Sequence, residues 1–201
     1  MIVAALTGSI AMGKSETARM FAVHGIPVFD SDAIVHQLYS SGGAAVEALR
    51  ALVPDVIEGN HVDRKKLADE VQARPDLLKQ VEAVIHPLVR RKQQEFLDKA
   101  MAAGSDFVVL DIPLLFETGR EAEVDVVLVV SADAEKQRAR ALARPGMSAA
   151  KLDFILARQV SDQTKRARAD YVIDTSHSLA ETNRQVDGII AELRKRAGSH
   201  S

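Results

Sequence analysis

Cysteine is absent from the chain of 201 residues, which excludes disulfide scaffolds, thiolate zinc sites and cysteine nucleophiles. That absence fits a reducing compartment. An excess of positive charge is lacking too: 26 Lys and Arg stand against 28 Asp and Glu, for a net charge of −2. Nothing in that balance advertises nucleic acid. No apolar run approaches the roughly 18 residues of a membrane span, so no membrane is expected. The uncharged opening, residues 1–13, lacks the basic segment that precedes a signal-peptide core, and the expected location is the cytoplasm. Internal repeats and low-complexity linkers are missing, and 47% hydrophobic with 27% charged residues rules out wholesale disorder. A chain of this length makes about one large domain, or one core with an insertion. It buries enough surface to need no staples.

What is present alternates. Apolar runs at 107–110 and 124–130 have strand length, and 2–6, 27–29 and 171–173 are shorter candidates. Each is largely apolar rather than alternating, as in parallel strands covered on both faces. Helical stretches fall between them, at 14–23, 33–39, 134–143, 148–160 and 179–196. The pattern predicts an α/β fold, a doubly wound parallel sheet with right-handed crossovers. From 41 to 104 no convincing strand is visible, and 76–102 has helical periodicity through Leu77, Val81, Ile85 and Leu88. This segment reads as a helical insertion over the carboxyl ends of the strands, where ligands bind in such sheets. The whole chain, 1–201, is expected to form one unit, and its tail from 198 to fray.

Gly8-Ser-Ile-Ala-Met-Gly13-Lys14-Ser15 matches G-x-x-x-x-G-K-[ST] after an apolar segment and before a helix. The spacing makes a turn whose N–H groups converge on an anion at a helix N-terminus. Lys14 can then reach β- and γ-phosphates, and the Ser15 hydroxyl can ligate Mg²⁺. The chain has no Asn-Lys pair, which GTPases use to specify guanine. Small size favours a small-molecule kinase, with a non-catalytic nucleotide-binding module as the rival.

Asp30 and Asp32 follow the second strand, on the side of the phosphate loop. One carboxylate there can accept the proton of an attacking hydroxyl while the other caps the next helix, or both can cap. Asp111 ends an apolar strand, where an acid beside such a loop holds Mg²⁺ through water, or lies exposed in a turn. Arg140 and Arg144 are spaced i, i+4 on one predicted helical face before Pro145-Gly146, with Ser148 ready to cap the next helix. Either a mobile lid at about 138–150 brings guanidiniums over a triphosphate, or the face is simply solvated.

These residues resemble those of the dephospho-coenzyme A kinases, which use ATP to phosphorylate a ribose 3′-hydroxyl in the last step of coenzyme A synthesis. The resemblance runs through the phosphate loop and Asp30-Ser31-Asp32-Ala33-Ile34 with His36. It continues through Asp63-Arg64-Lys65-Lys66-Leu67, Ile85-His86-Pro87-Leu88 and Pro113-Leu114-Leu115-Phe116-Glu117. It ends with Gln137, Arg140, Arg144 and Gln159 at lid spacing, then Arg168-Ala-Asp170-Tyr-Val-Ile173. It implies a P-loop kinase fold with a substrate-binding helical insertion and an Arg-bearing lid. Lys14, Asp32 and Arg140 would be catalytic, with Asp32 the base. ATP would contact Gly8, Ala11, Met12, Gly13, Lys14, Ser15, Glu16 and Arg144. Dephospho-CoA would contact Asp32, Arg64, His86, Leu114 and Glu117, and Mg²⁺ would lie at Ser15 and Asp111. No nucleic acid, membrane or obligate protein partner is implied. Ser9 and Ala11 stand where the family usually has Gly, Glu16 where it often has Thr or Ser, and Thr175 where it often has Asn.

Overall fold

The computed structural model describes residues 1–199; His200 and Ser201, the end of the tail expected to fray, lie outside them. Its strands are β1 (Ile2–Thr7), β2 (Val28–Asp30), β3 (Ile57–Glu58), β4 (His61–Val62), β5 (Phe107–Asp111), β6 (Val126–Ser131) and β7 (Tyr171–Asp174). Its helices are α1 (Lys14–Val23), α2 (Ser31–Tyr39), α3 (Val46–Leu52), α4 (Arg64–Ala73), α5 (Pro75–Ala102), α6 (Ala134–Leu142), α7 (Ala149–Leu156), α8 (Asp162–Ala167) and α9 (Leu179–Gly198). The chain divides into two compact units, one of residues 1–29 with 100–201 and the other Asp30–Lys99.

The first unit is built on a five-stranded sheet in the order β2-β5-β1-β6-β7, with β1 parallel to β5 and β6, and β6 parallel to β7. Every residue of β5 and β6 is buried, which explains why these strands read as unbroken apolar runs. Phe21 and Met20 of α1 and Val186, Ile190 and Leu193 of α9 pack with Leu6, Phe107, Leu128 and Ile173 of the sheet. The chain reaches β5 on one side of β1 and then crosses to β6 on the other. The turn after β1 thus opens at a topological switch point, the usual ligand crevice of such sheets. Register sets Leu6 opposite Asp111, so the acid at the end of β5 is level with the start of that turn.

The second unit has its own core, in which Leu38, Val46, Leu49, Val56, Leu67, Leu77, Val81 and Ile85 are all buried. Its limits differ from the expected 41–104. The apolar residues of α2 pack into this cluster rather than on the sheet, so the unit starts at Asp30 and includes α2. The expectation that the segment holds no strand also needs correction. β3 and β4 pair antiparallel around Gly59, whose φ of 57° suits the turn. Two-residue strands are too short to leave a period in the sequence. A further difference lies at 148–160, expected as one helix: α7 ends at Leu156, and α8 begins after Ser161, whose hydroxyl accepts the Thr164 N–H.

Candidate functional site

Helices α2, α4, α7, α8 and α9 each open on a side-chain cap, but α1 does not. Its N-cap is Gly13, at φ 94°, so the amides of the first turn are left for an external anion. Two glycines shape the turn before it. A Cβ on Gly8 would lie 2.6 Å from the Val130 carbonyl oxygen, so no side chain fits. One on Gly13 would lie 3.1 Å from Thr175 Oγ1 and would also occupy the left-handed region. Between them Ala11 sits at φ 63°, the single non-glycine with positive φ among the described residues. Of the two loop positions where glycine was expected, only Ala11 is strained, at a cost of about 1–2 kcal/mol. Its methyl group is buried with Ala141 of α6 and Leu152 of α7.

Lys14 forms an ion pair with Asp111, each side chain largely shielded from solvent. The carboxylate expected at a metal thus also holds the loop lysine. Ser15 is exposed at the start of α1. Glu16 bonds Arg19, whose guanidinium hydrogen bonds hold the Glu16 carboxyl below the usual carboxylate range.

Thr175, just past β7, joins the loop to α6. Its hydroxyl donates to Met12 O at 2.7 Å and accepts from Arg140 Nη1 at 2.9 Å, while Arg140 Nη2 donates to Thr175 O at 2.7 Å. Gly13, Glu16, Met20, Arg140, Thr175 and His177 line part of a cavity of about 190 Å³. That is below the roughly 300 Å³ at which pockets for whole ligands begin, and suits one flat fragment. At the same corner, burial pushes the Asp174 carboxyl up. Hydrogen bonds from the Ser176 side chain and backbone, with His177 and Arg166 nearby, more than offset this and hold it below the usual range.

Arg144 does not share a helical face with Arg140. Helix α6 ends at Leu142, because a residue before proline is driven out of the helical region and Pro145 follows Arg144. Arg144 lies in the exposed turn between α6 and α7, which Ser148 closes by accepting the Lys151 N–H.

Glu117 is placed differently from the substrate-contact role implied by resemblance. Its Oε1 accepts the Val160 N–H at 2.9 Å and lies 2.9 Å from Nζ of Lys165, a fully buried lysine on α8. Leu114, in the same segment, is exposed. Deleting the carboxylate would leave a buried cation unpaired. Glu117→Ala is therefore expected to cost about 3 kcal/mol or more of stability, read from urea unfolding. An unchanged midpoint with a weakened acceptor interaction would return Glu117 to the substrate.

In the second unit the two early acids separate. Asp30 caps α2, its Oδ1 accepting the Ala33 N–H at 2.9 Å. Asp32, in the first turn of α2, is exposed and makes no hydrogen bond or ion pair among the described residues. Asp63 caps α4 by accepting the Lys65 and Lys66 N–H groups, and Arg64 beside it is exposed. Burial pushes the Tyr39 hydroxyl up, opposed by the nearby positive charge of Arg64. His86 lies exposed on α5, which runs on through Pro87. A cavity of about 350 Å³ lies by Leu52, Arg74 and Gln80, and no residue nominated from sequence lines it.

Sequence reasoning assigned no role to Thr175, His177, Gln137 or Gln159, although it placed Gln137 and Gln159 at lid spacing. The only signal for Thr175 was its departure from the family's Asn. The dephospho-CoA kinase family model matches residues 1–181. A Rhizobium etli protein named dephospho-CoA kinase is 51% identical over 196 residues, which are 98% of this chain and 96% of that one. A crystal structure of a Thermus thermophilus protein superposes with a TM-score of 0.83 at 35% identity, covering 96% of this chain and 97% of its own. The structure of a dephospho-CoA kinase from Campylobacter jejuni reaches a TM-score of 0.74 at 24% identity, over 96% and 97% of the two chains, and bears on the fold alone. A family model that matches residues 1–181 and a relative half identical over nearly its whole length agree: this chain belongs to the dephospho-CoA kinase family.

Proposed function

We propose that this chain catalyses ATP-dependent phosphorylation of the ribose 3′-hydroxyl of dephospho-CoA, giving CoA and ADP. The observation that carries the reading, in a chain of this family, is the uncapped N-terminus of α1 with Lys14 beside it and the cavity at Thr175 alongside. The loop amides and Lys14 take the β- and γ-phosphates, and the cavity takes the base.

The donor set beside the loop suits Mg²⁺, with one hydroxyl on Ser15 and one carboxylate on Asp111. Among the described residues no cluster of three His, Cys, Asp or Glu side chains forms a cage. Mg²⁺ is commonly held in this sparse way, by one or two carboxylates together with phosphates and water. When bound it supplies positive charge to the phosphate oxygens.

Asp32 aligns the 3′-hydroxyl and takes its proton late, as the oxygen bonds to the γ-phosphorus and the bond to the β–γ bridging oxygen breaks. Arg64 offers a guanidinium fork to an anionic group of the acceptor, with His86 and Leu114 on the acceptor side. Arg140 and Arg144 supply charge from the lid. Among the described residues no helix is long and apolar enough to cross a membrane, and the cytoplasm is the proposed location.

The test is ADP release with dephospho-CoA, adenosine and AMP as acceptors. Dephospho-CoA alone should support rapid release, and equal rates with AMP would sink the assignment. The fork that Arg140 makes on Thr175 uses two nitrogens, which an ammonium cannot reproduce. Arg140→Lys should accordingly stay at least about tenfold impaired in kcat despite its retained charge. Full activity in that variant would leave only generic electrostatics.

A further inference from the structure

Ile10 stands in the middle of the phosphate loop, and both of its backbone polar groups are taken by glutamine side chains. Gln137, on α6, donates from Nε2 to Ile10 O at 2.9 Å. Gln159, three residues past the end of α7, accepts the Ile10 N–H at Oε1, 3.1 Å away. Gln137 comes just before the lid segment at 138–150, and Gln159 from the turn that follows α7. Their amide orientations are dictated by their partners, since a carbonyl only accepts and an N–H only donates.

We propose that Gln137 and Gln159 are a clamp that holds the phosphate loop in its anion-receiving turn and fixes the lid to it. They are positioning residues for phosphoryl transfer, and the inference rests on the ATP-binding reading above.

Three observations support it. The next residue, Ala11, is strained at φ 63°, and such a conformation persists only where its surroundings over-determine it. Gln137 is 8% exposed, so its amide is a buried polar group committed to the loop. The buried Ala11 methyl meets Ala141 of α6 and Leu152 of α7, so apolar contact ties the loop to those two helices while the hydrogen bonds tie it to α6 and to the turn after α7. Arg140 lies one helical turn from Gln137, and its reach toward the nucleotide is set by that attachment.

Donor and acceptor polarity supplies the test. Gln137→Glu and Gln159→Glu add the same charge beside the same residue. Only the first loses its hydrogen bond and sets a carboxylate against a carbonyl. The apparent KM for ATP should rise roughly tenfold in Gln137→Glu and less than about threefold in Gln159→Glu. Hydrogen exchange across 138–150 should slow on ATP addition in the wild type and in Gln159→Glu, but little in Gln137→Glu. Gln137→Met and Gln159→Met remove each bond without adding charge, and both should weaken ATP. If Gln137→Glu does not fold, Gln137→Met against Gln159→Glu gives the same contrast. Equal KM changes in the two members of a contrast, or lowered melting temperatures with KM unmoved, would overturn the clamp. A wild-type chain that binds no ATP would instead overturn the nucleotide reading itself.

Discussion

Lys14→Ala should lose phosphoryl transfer by about 10³-fold or more, since in the proposed reaction its charge acts on the transferring phosphate. The pairing with Asp111 adds a second consequence. Removing the ammonium leaves a carboxylate of a residue only 4% exposed without that cation, so stability should fall as well. Unfolding therefore has to be measured beside turnover. Lys14→Arg separates the two effects, because it keeps the charge near Asp111 but places it differently on the phosphates. Near-normal turnover in a folded Lys14→Ala protein would remove the loop from the mechanism.

Asp32→Asn is the second large expected loss, roughly 10²–10⁴ in kcat, the range for a positioned acid or base. The substitution keeps size and some hydrogen bonding while removing the acceptor charge, so ATP binding should be largely retained. Asp30 is the control. It already spends a carboxylate oxygen on the Ala33 N–H, so Asp30→Ala should cost about 1 kcal/mol of stability and little chemistry. The opposite pattern, with Asp30 dominating turnover in a stable protein, would move the base. Asp32 is exposed with no partner of its own, which is the condition a substrate-facing carboxylate requires.

The two acids show how far the sequence reaches. Their spacing left open that one caps and the other faces the site or that both cap, and the resemblance offered Asp32 as the base. Only the folded backbone showed that Asp30 is the cap. The same division runs through the arginines. A linear i, i+4 count put Arg140 and Arg144 on one face, yet Pro145 ends the helix before the second of them is reached.

What the sequence determined by itself was whatever depends on local pattern. Unbroken apolar runs specify parallel strands covered on both faces, and the Gly8–Ser15 spacing specifies an anion-binding turn before a helix. What only the tertiary structure decided was which polar groups meet across long separations. Gln137 and Gln159 on Ile10, Thr175 between Met12 and Arg140, Glu117 on Lys165, and Lys14 on Asp111 each join segments far apart in the chain. Hydrophobic period encodes the face a side chain presents to the core, because burial is non-directional and roughly additive. A hydrogen bond or ion pair depends on distance and angle between two particular groups, and those exist only once the sheet has set its register.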